Sequence, residues 1–296
     1  MTTLRETLRP LARGAASSTA FRAPLRRLTR SGLVPEAIWK RLPVDQMFPV
    51  ALRDGSSFRY TATPGDGIGR ILYWRGLPRF EAETMSVFAR LARGARRTLD
   101  IGANTGTFTL VACAVNPAVR VVAFEPVPRT HRRLLDHVAL NGWVSRCEVR
   151  GEAVSDRTGV TRFHVPDEEL PTSASLHHQG FRGHPGTLIE VPVTTIDEAC
   201  PGWTDVDLVK IDVEGFEDKV LEGMRGLLAA SSPTLIVECN PDGPYRGVEA
   251  ILRPLGYRFF HLRSRGPVAV ERIVPDARER HRNYLCTVRA EEGERS

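Results

Sequence analysis

From Arg96 onward the chain alternates short apolar runs with segments of helical period. "RRTLDIG" (96–102), "RVVAFEP" (120–126), "CEVRGEAVS" (147–155), "DLVKIDVEG" (207–215) and "TLIVECN" (234–240) read as strands. Residues 107–115, 128–141 and the stretch from 216 to about 230 carry helical spacing, the second ending near Asn141-Gly142. "VTRFHVP" (160–166) reads as an added strand and "IEVPVTTIDEAC" (189–200) as a strand running into a short helix. "YRFFHLRS" (257–264) and "RNYLCTVRA" (282–290) close the pattern as two further strands. Strands separated by helical crossovers predict an α/β fold, a Rossmann-like doubly wound and mostly parallel sheet with both faces covered. Ligands of such sheets bind beyond the carboxyl ends of the strands.

Upstream the pattern differs. "MFPVALRDGSSFRYTATP" (47–64) predicts a β-hairpin around Asp54-Gly55, and "RFEAETMSVFARLARG" (79–94) a helix ending at glycine. Residues 1 to 45 place leucines at helical spacing between prolines 10, 24 and 35, which predicts short amphipathic helices broken by proline. The expected organisation is a basic helical arm (1–45), a β-hairpin extension (46–78), the main domain (79–290) and a disordered tail (291–296).

Charge sharpens that division. The formal net charge is +6, yet residues 1–41 hold nine basic and two acidic residues (+7), which leaves −1 for the other 255. A near-neutral body argues against phosphate-tracking nucleic-acid recognition. The arm has three open readings: a helical cap, a surface for a membrane or partner, or a targeting peptide. No apolar run approaches the roughly 18 residues of a membrane span. Nor does the N-terminus show the apolar core of a secretory signal. Five cysteines without a CxxC pair favour reduced thiols and a cytoplasmic location over disulfides or zinc. Only three lysines accompany 38 arginines, so Lys210, in the middle of an apolar strand, stands out.

"LDIGANTGTF" (99–108) holds the first candidate chemistry. A P-loop needs Lys-Ser/Thr after its last glycine, and Thr107-Phe108 follows here. A dinucleotide fingerprint needs GxGxxG, and here three residues separate Gly102 from Gly106 with no third glycine. What remains is a turn that brings backbone close to a ligand without a pyrophosphate, with Asp100 as an acceptor at the strand end. S-adenosylmethionine fits: it carries an ammonium and a sulfonium, and no phosphate. Glu125 ends the next strand, where a carboxylate can accept both hydroxyls of a ribose.

"VDLVKIDVEGFE" holds the second. Strand alternation puts Lys210, Asp212 and Glu214 on one face, where unpaired burial would cost several kcal/mol each. Glu238 and Asn240 repeat the arrangement at the end of "TLIVECN". Methyl transfer to an alcohol needs the acceptor oxygen placed and its proton removed. Asp212 is the first candidate for that role, Glu214 and Glu238 follow, and Lys210 is expected either to orient them or to lower the pKa of the alcohol. A structural ion pair of Lys210 with one acid is the alternative. A divalent cation on Asp212, Glu214, Glu238 or Asn240 is a further one, though the set is marginal for magnesium and no metal is expected. "HHQGFRGH" (177–184) lacks metal spacing and reads as a loop, and "NPDGPY" (240–245) reads as a turn. His261 reads as a satisfied core histidine.

"LDIGANTGTFTL", "VVAFEPVP", "LNG", "GEAVSD", "VDLVKIDVEGFEDKVLEGM" and "PTLIVECNP", in that order, resemble the FkbM-type S-adenosylmethionine-dependent methyltransferases over roughly residues 80 to 260. The resemblance implies a class I methyltransferase fold, a seven-stranded sheet with its last strand antiparallel. It places Asp100, Gly102, Asn104 and Gly106 on the cofactor loop, Glu125 on the ribose and Ala153, in "GEAVSD", beside the adenine. "SASL" (173–176) falls on a serine-rich turn of the family. The implied function is O-methylation of a hydroxyl on a sugar or natural-product small molecule. A methyltransferase for a macromolecule (protein, RNA or surface glycan) and a non-catalytic or NAD-binding protein of the same fold are the alternatives. Neither the acceptor nor the oligomeric state is legible.

Overall fold

A computed structural model describes residues 19–167, 170, 186–275, 278 and 281–289. Residues 1–18, "SASL", "HHQGFRGH" and the tail 291–296 lie outside the described residues. The chain divides into two compact units, 1–81 and 82–296.

The first unit contains helices α1 (Thr19–Arg30) and α2 (Glu36–Trp39), strands β1 (Gln46–Ala51) and β2 (Ser57–Ala62), and helix α3 (Gly67–Trp74). Pro24 lies inside α1 and does not end it. The helix stops instead at Gly32 (φ +85°), where the Leu33 amide donates to the Leu28 carbonyl at 3.0 Å. β1 and β2 form the expected antiparallel hairpin, with Gln46 opposite Ala62. Its alternation buries Phe48 and Val50 from one strand and Phe58, Tyr60 and Ala62 from the other. Asp66 caps α3, accepting the Gly69 amide at 2.7 Å.

The second unit opens with α4 (Ala82–Ala92) and continues through β3 (Arg97–Ile101), α5 (Thr107–Val115), β4 (Arg120–Phe124), α6 (Pro128–Leu140) and β5 (Cys147–Arg150). Then come β6 (Ala153–Val154), β7 (Gly159–Pro166), β8 (Gly186–Thr194), α7 (Ile196–Ala199), β9 (Leu208–Ile211), α8 (Glu217–Glu222), α9 (Arg225–Ser231) and β10 (Thr234–Glu238). The described elements end with α10 (Tyr245–Leu252), β11 (Arg258–Arg263), β12 (Gly266–Val270) and β13 (Asn283–Thr287). The main sheet runs β12-β11-β13-β10-β9-β3-β4-β5. From β10 to β5 it is parallel, and β13 runs antiparallel beside β10. The α/β, doubly wound fold stands, with seven strands in the expected arrangement and an eighth, β12, added at the edge as a hairpin on β11. The described strands of this sheet are packed from side to side with aliphatic residues, Leu99, Ile101, Val209, Ile211, Leu235 and Val237 among them.

Local readings change in three places. The single strand expected over 147–155 breaks at Gly151-Glu152: β5 stays in the main sheet and β6 joins a second one. That second sheet has the order β6-β8-β7, so 160–166 and 189–194 pair with each other. The helix expected after 216 is two helices. A Cβ on Gly223, between them, would sit 2.0 Å from the Ser155 carbonyl oxygen, so backbone approaches backbone there.

Candidate active site

β3 delivers its carboxyl end to a turn in which Gly102 (φ +80°), Asn104 (φ +50°) and Gly106 (φ +92°) all take the left-handed conformation. The amides of Gly102 and Ala103 donate to the Phe124 carbonyl at 3.0 and 2.9 Å, which fastens the turn to the end of β4. Glu125 completes the fastening: its Oε2 accepts the Asn104 amide and its Oε1 the Val127 amide, both at 2.9 Å. Burial pushes this carboxyl up to about 7, against the pull of those two amides. Asp100 is also buried, and its Oδ2 accepts the amide (2.9 Å) and the hydroxyl (2.6 Å) of Thr109. The acid thus anchors the first turn of α5, and burial raises its pKa to about 6.

The charged face is built differently from simple alternation. β9 ends at Ile211, so Lys210 is the last charged residue on the strand, and Asp212 and Glu214 (φ +53°) lie in the turn beyond it. Lys210 is fully buried. Its Nζ donates to Asp212 Oδ2 at 3.0 Å and to Asn283 Oδ1 at 3.1 Å, and sits 5.3 Å from the centre of the Phe108 ring. Glu238 ends β10; its Oε2 accepts from Asn240 Nδ2 at 3.1 Å and its Oε1 from Arg282 Nη1 at 3.4 Å. One carboxylate oxygen from each of Asp212, Glu214 and Glu238 lies within 4.8 Å of the others. Burial, and then the charges of Asp212 and Glu214, hold the Glu238 carboxyl well above the ordinary range and so favour its protonated form.

The two constellations meet at one point. A Cβ on Gly102 would lie 1.8 Å from the carbonyl oxygen of Asp212, so the glycine turn rests directly on the turn that carries the acids. The structure thereby groups Lys210, Asp212, Glu214 and Glu238 next to Gly102, Asn104 and Glu125. Gly106 starts α5 beneath them, with Leu134 against its α-carbon. Ala153 is packed in the apolar cluster of the smaller sheet with Val127, two residues beyond Glu125. His261 is satisfied as expected, with Nε2 2.8 Å from the His281 carbonyl and its ring stacked on Tyr284. "NPDGPY" begins with a turn closed by the Gly243 amide on the Asn240 carbonyl at 3.0 Å. All five cysteines are buried free thiols. Among the described residues no helix is long and apolar enough to cross a membrane.

A family model, Methyltransferase FkbM domain, matches residues 100–259, more than half of the chain. The chain belongs to the FkbM methyltransferase family. Among its relatives, the 31-O-demethyl-FK506 methyltransferase FkbM of Streptomyces tacrolimicus is 31% identical over 189 residues, covering 53% of this chain and 71% of that protein. Methyltransferase sdnD of Sordaria araneosa is 27% identical over 191 residues, 54% and 72% of the two chains. A crystal structure of Methyltransferase FkbM from Methylobacillus flagellatus KT aligns with a TM-score of 0.44 at 18% identity, over 65% of this chain and 43% of that one.

In this FkbM-family chain the C-terminal strand supplies site residues that the motifs do not reveal. Asn283 and Arg282 enter from the start of β13, which pairs Asn283 with Glu238. Glu217, inside the fifth quoted motif but not singled out there, accepts the Gly215 amide at 3.0 Å, and burial raises it to about 7. Its signal was present in the sequence as an acid in the first turn of a helix. The three clustered acids bring one carboxylate oxygen each to within 4.8 Å of one another, and the Lys210 ammonium pairs with Asp212 among them. Asn283→Ala, which takes one acceptor from the buried Lys210, is expected to cost about 1.5–3 kcal/mol of stability, read by urea unfolding.

Proposed function

We propose that this chain transfers the methyl group of S-adenosylmethionine to a hydroxyl of a small molecule, a sugar or a natural product. The observation that carries this is the contact between Gly102 and Asp212: it sets a cofactor-type turn against a cluster of acids able to take a proton. The named activity of the Streptomyces tacrolimicus relative, methylation at an oxygen of 31-O-demethyl-FK506, supports the oxygen acceptor. The cofactor supplies an electrophilic methyl group on a sulfonium. Gly102, Asn104 and Gly106 would bring backbone against it, Glu125 would accept its ribose hydroxyls, and Ala153 would border its adenine. Asp212, held in place by Lys210, accepts the acceptor's hydroxyl proton as the oxygen–methyl bond forms and the sulfur–methyl bond breaks. Glu238, whose surroundings disfavour its charged form, adds little negative charge to repel the developing alkoxide.

The test is thermal unfolding with S-adenosylmethionine and with NAD, each added separately. At about 100 times its dissociation constant the true cofactor adds roughly 2.7 kcal/mol, a shift on the order of 5–10 °C for this size. S-adenosylmethionine alone should give it, and Glu125→Ala should lose it. A shift with NAD alone would remove the proposal. Glu125 also sets a pH dependence. Below about 7 its carboxyl is protonated and accepts hydroxyls poorly; above, it is ionised and accepts both. Affinity for S-adenosylmethionine should therefore rise between about pH 6 and 8, and Glu125→Gln should flatten that rise.

A further inference from the structure

The cofactor turn has a support that its glycines and carboxylates do not supply. Each amide from residue 102 to 106 donates to an acceptor of the protein. Gly102 and Ala103 use the Phe124 carbonyl and Asn104 uses Glu125, so the front of the turn is fastened to the end of β4. The Thr105 amide donates to the Asn104 side chain at 2.7 Å and the Gly106 amide to the Ala103 carbonyl at 2.8 Å, so these two bonds close within the turn. The Thr105 carbonyl stands apart. Regular helix geometry would give it the amide of Thr109, but that amide donates to Asp100 Oδ2 at 2.9 Å. The helical ladder of α5 picks up one residue later, from the Leu110 amide to the Gly106 carbonyl at 2.8 Å. Thr105 is buried, and a buried backbone carbonyl is costly without a donor.

His137 supplies a donor. Its Nδ1 lies 2.8 Å from the Thr105 carbonyl oxygen, and because a carbonyl only accepts, Nδ1 carries the hydrogen. The side chain comes from α6, where Thr130, Leu134 and His137 stand at i, i+4 and i+7 and are fully buried, while Arg132, Leu135 and Asp136 face outward. Leu134, on that same buried face, stands against Gly106. Packing asks only for an apolar residue at such a position, so an imidazole there serves the carbonyl. The "LNG" motif supports the same residue. Asn141 Nδ2 donates to the His137 carbonyl at 2.8 Å, and Gly142 (φ +72°) follows with its amide on the Ala139 carbonyl at 2.9 Å. The end of α6 is thereby fixed at the residue that holds Thr105.

We propose that His137 is a positioning residue for methyl transfer: through Nδ1 it holds the second half of the turn, Thr105 and Gly106, in the shape that binds S-adenosylmethionine. The role rests on the cofactor reading above, while the contact itself belongs to the cofactor-free chain. Asn104 at φ +50° keeps a conformation that residues with a Cβ adopt rarely, and it keeps it because the backbone on both sides is held. Without the His137 bond the turn spends part of its time in other shapes. Apparent affinity for the cofactor then falls with the fraction of chains in the competent one.

The test compares three substitutions in the full chain. His137→Asn places an amide nitrogen where Nδ1 stands, His137→Gln carries the same group out to the place of Nε2, and His137→Leu offers no donor. Each protein is titrated with S-adenosylmethionine by calorimetry, and its amide hydrogen exchange is followed by NMR without cofactor. His137→Leu and His137→Gln should raise the dissociation constant by about 5- to 30-fold, and His137→Asn should stay near wild type. In the cofactor-free chain the Thr105 and Gly106 amides should exchange faster in the first two variants and not in the third. Should His137→Leu fail to fold, the Asn and Gln variants decide between them, since both carry the same amide. Affinity and exchange that follow melting temperature across all three variants would make the histidine structural only and overturn the proposal. Wild-type binding that is indifferent to every substitution overturns the positioning role and leaves the cofactor reading standing. A wild type that binds no S-adenosylmethionine overturns both.

Discussion

Gly102→Ala is expected to destabilise the fold by more than about 4 kcal/mol and to abolish S-adenosylmethionine binding. Two costs add. At φ +80° a residue with a Cβ loses about 1–2 kcal/mol. The new methyl would also stand 1.8 Å from the Asp212 carbonyl oxygen, which is backbone and cannot swing away. Relief requires the glycine turn and the turn after β9 to separate, and that takes apart the site. Gly106→Ala makes the useful contrast. Its φ is +92°, but the closest atom to its methyl is Leu134 Cδ1 at 2.2 Å, the far end of a flexible side chain, and no backbone atom is among its nearest neighbours. It should lose less stability and retain a measurable affinity. Urea unfolding of both variants, with and without S-adenosylmethionine, checks the pair; equal losses would show that the Gly102–Asp212 contact has no special weight.

That contact marks the limit of what the chain discloses as text. The alternation of apolar strands with helical periods fixes the parallel sheet, because strands buried on both faces have a distinctive composition. The turn residues are equally plain, since left-handed conformations at Gly102 and Gly106 call for glycine. Allocation of strands to sheets is not plain. "CEVRGEAVS" is uniformly strand-like, yet the chain bends at Gly151 and sends Ala153-Val154 to pair with Val193-Thr194, some forty residues on. "GPVAV", to which the sequence reading assigns no element, forms an edge strand on β11. The site shows the same division. Lys210, Asp212, Glu214 and Glu238 announce themselves as charges at apolar strand ends. Asn283 and Arg282 are ordinary polar residues whose role comes only from the register of β13 against β10.

Asp212→Asn is expected to lower kcat by about 10²–10⁴, the usual contribution of a positioned general base. The substitution keeps the volume and removes the acceptor charge. It should leave S-adenosylmethionine affinity nearly unchanged, because the Asp212 atom set against Gly102 is its backbone carbonyl oxygen, which the substitution keeps. The loss should fall on kcat rather than KM, measured as S-adenosylhomocysteine release with a panel of sugar and natural-product alcohols. Some stability will go as well, since the buried Lys210 loses a carboxylate 3.0 Å away. Lys210→Met/Asp212→Asn separates the two effects: it removes the orphaned ammonium and should recover stability relative to Asp212→Asn without recovering turnover. Glu238→Gln supplies the opposite control. Burial and the neighbouring acids favour the protonated form of its carboxyl, so the amide mimics that form and should cost far less than Asp212→Asn. If Glu238→Gln instead stops turnover while Asp212→Asn retains it, the proton goes to Glu238, and the Lys210–Asp212 pair is a structural support beneath the pocket.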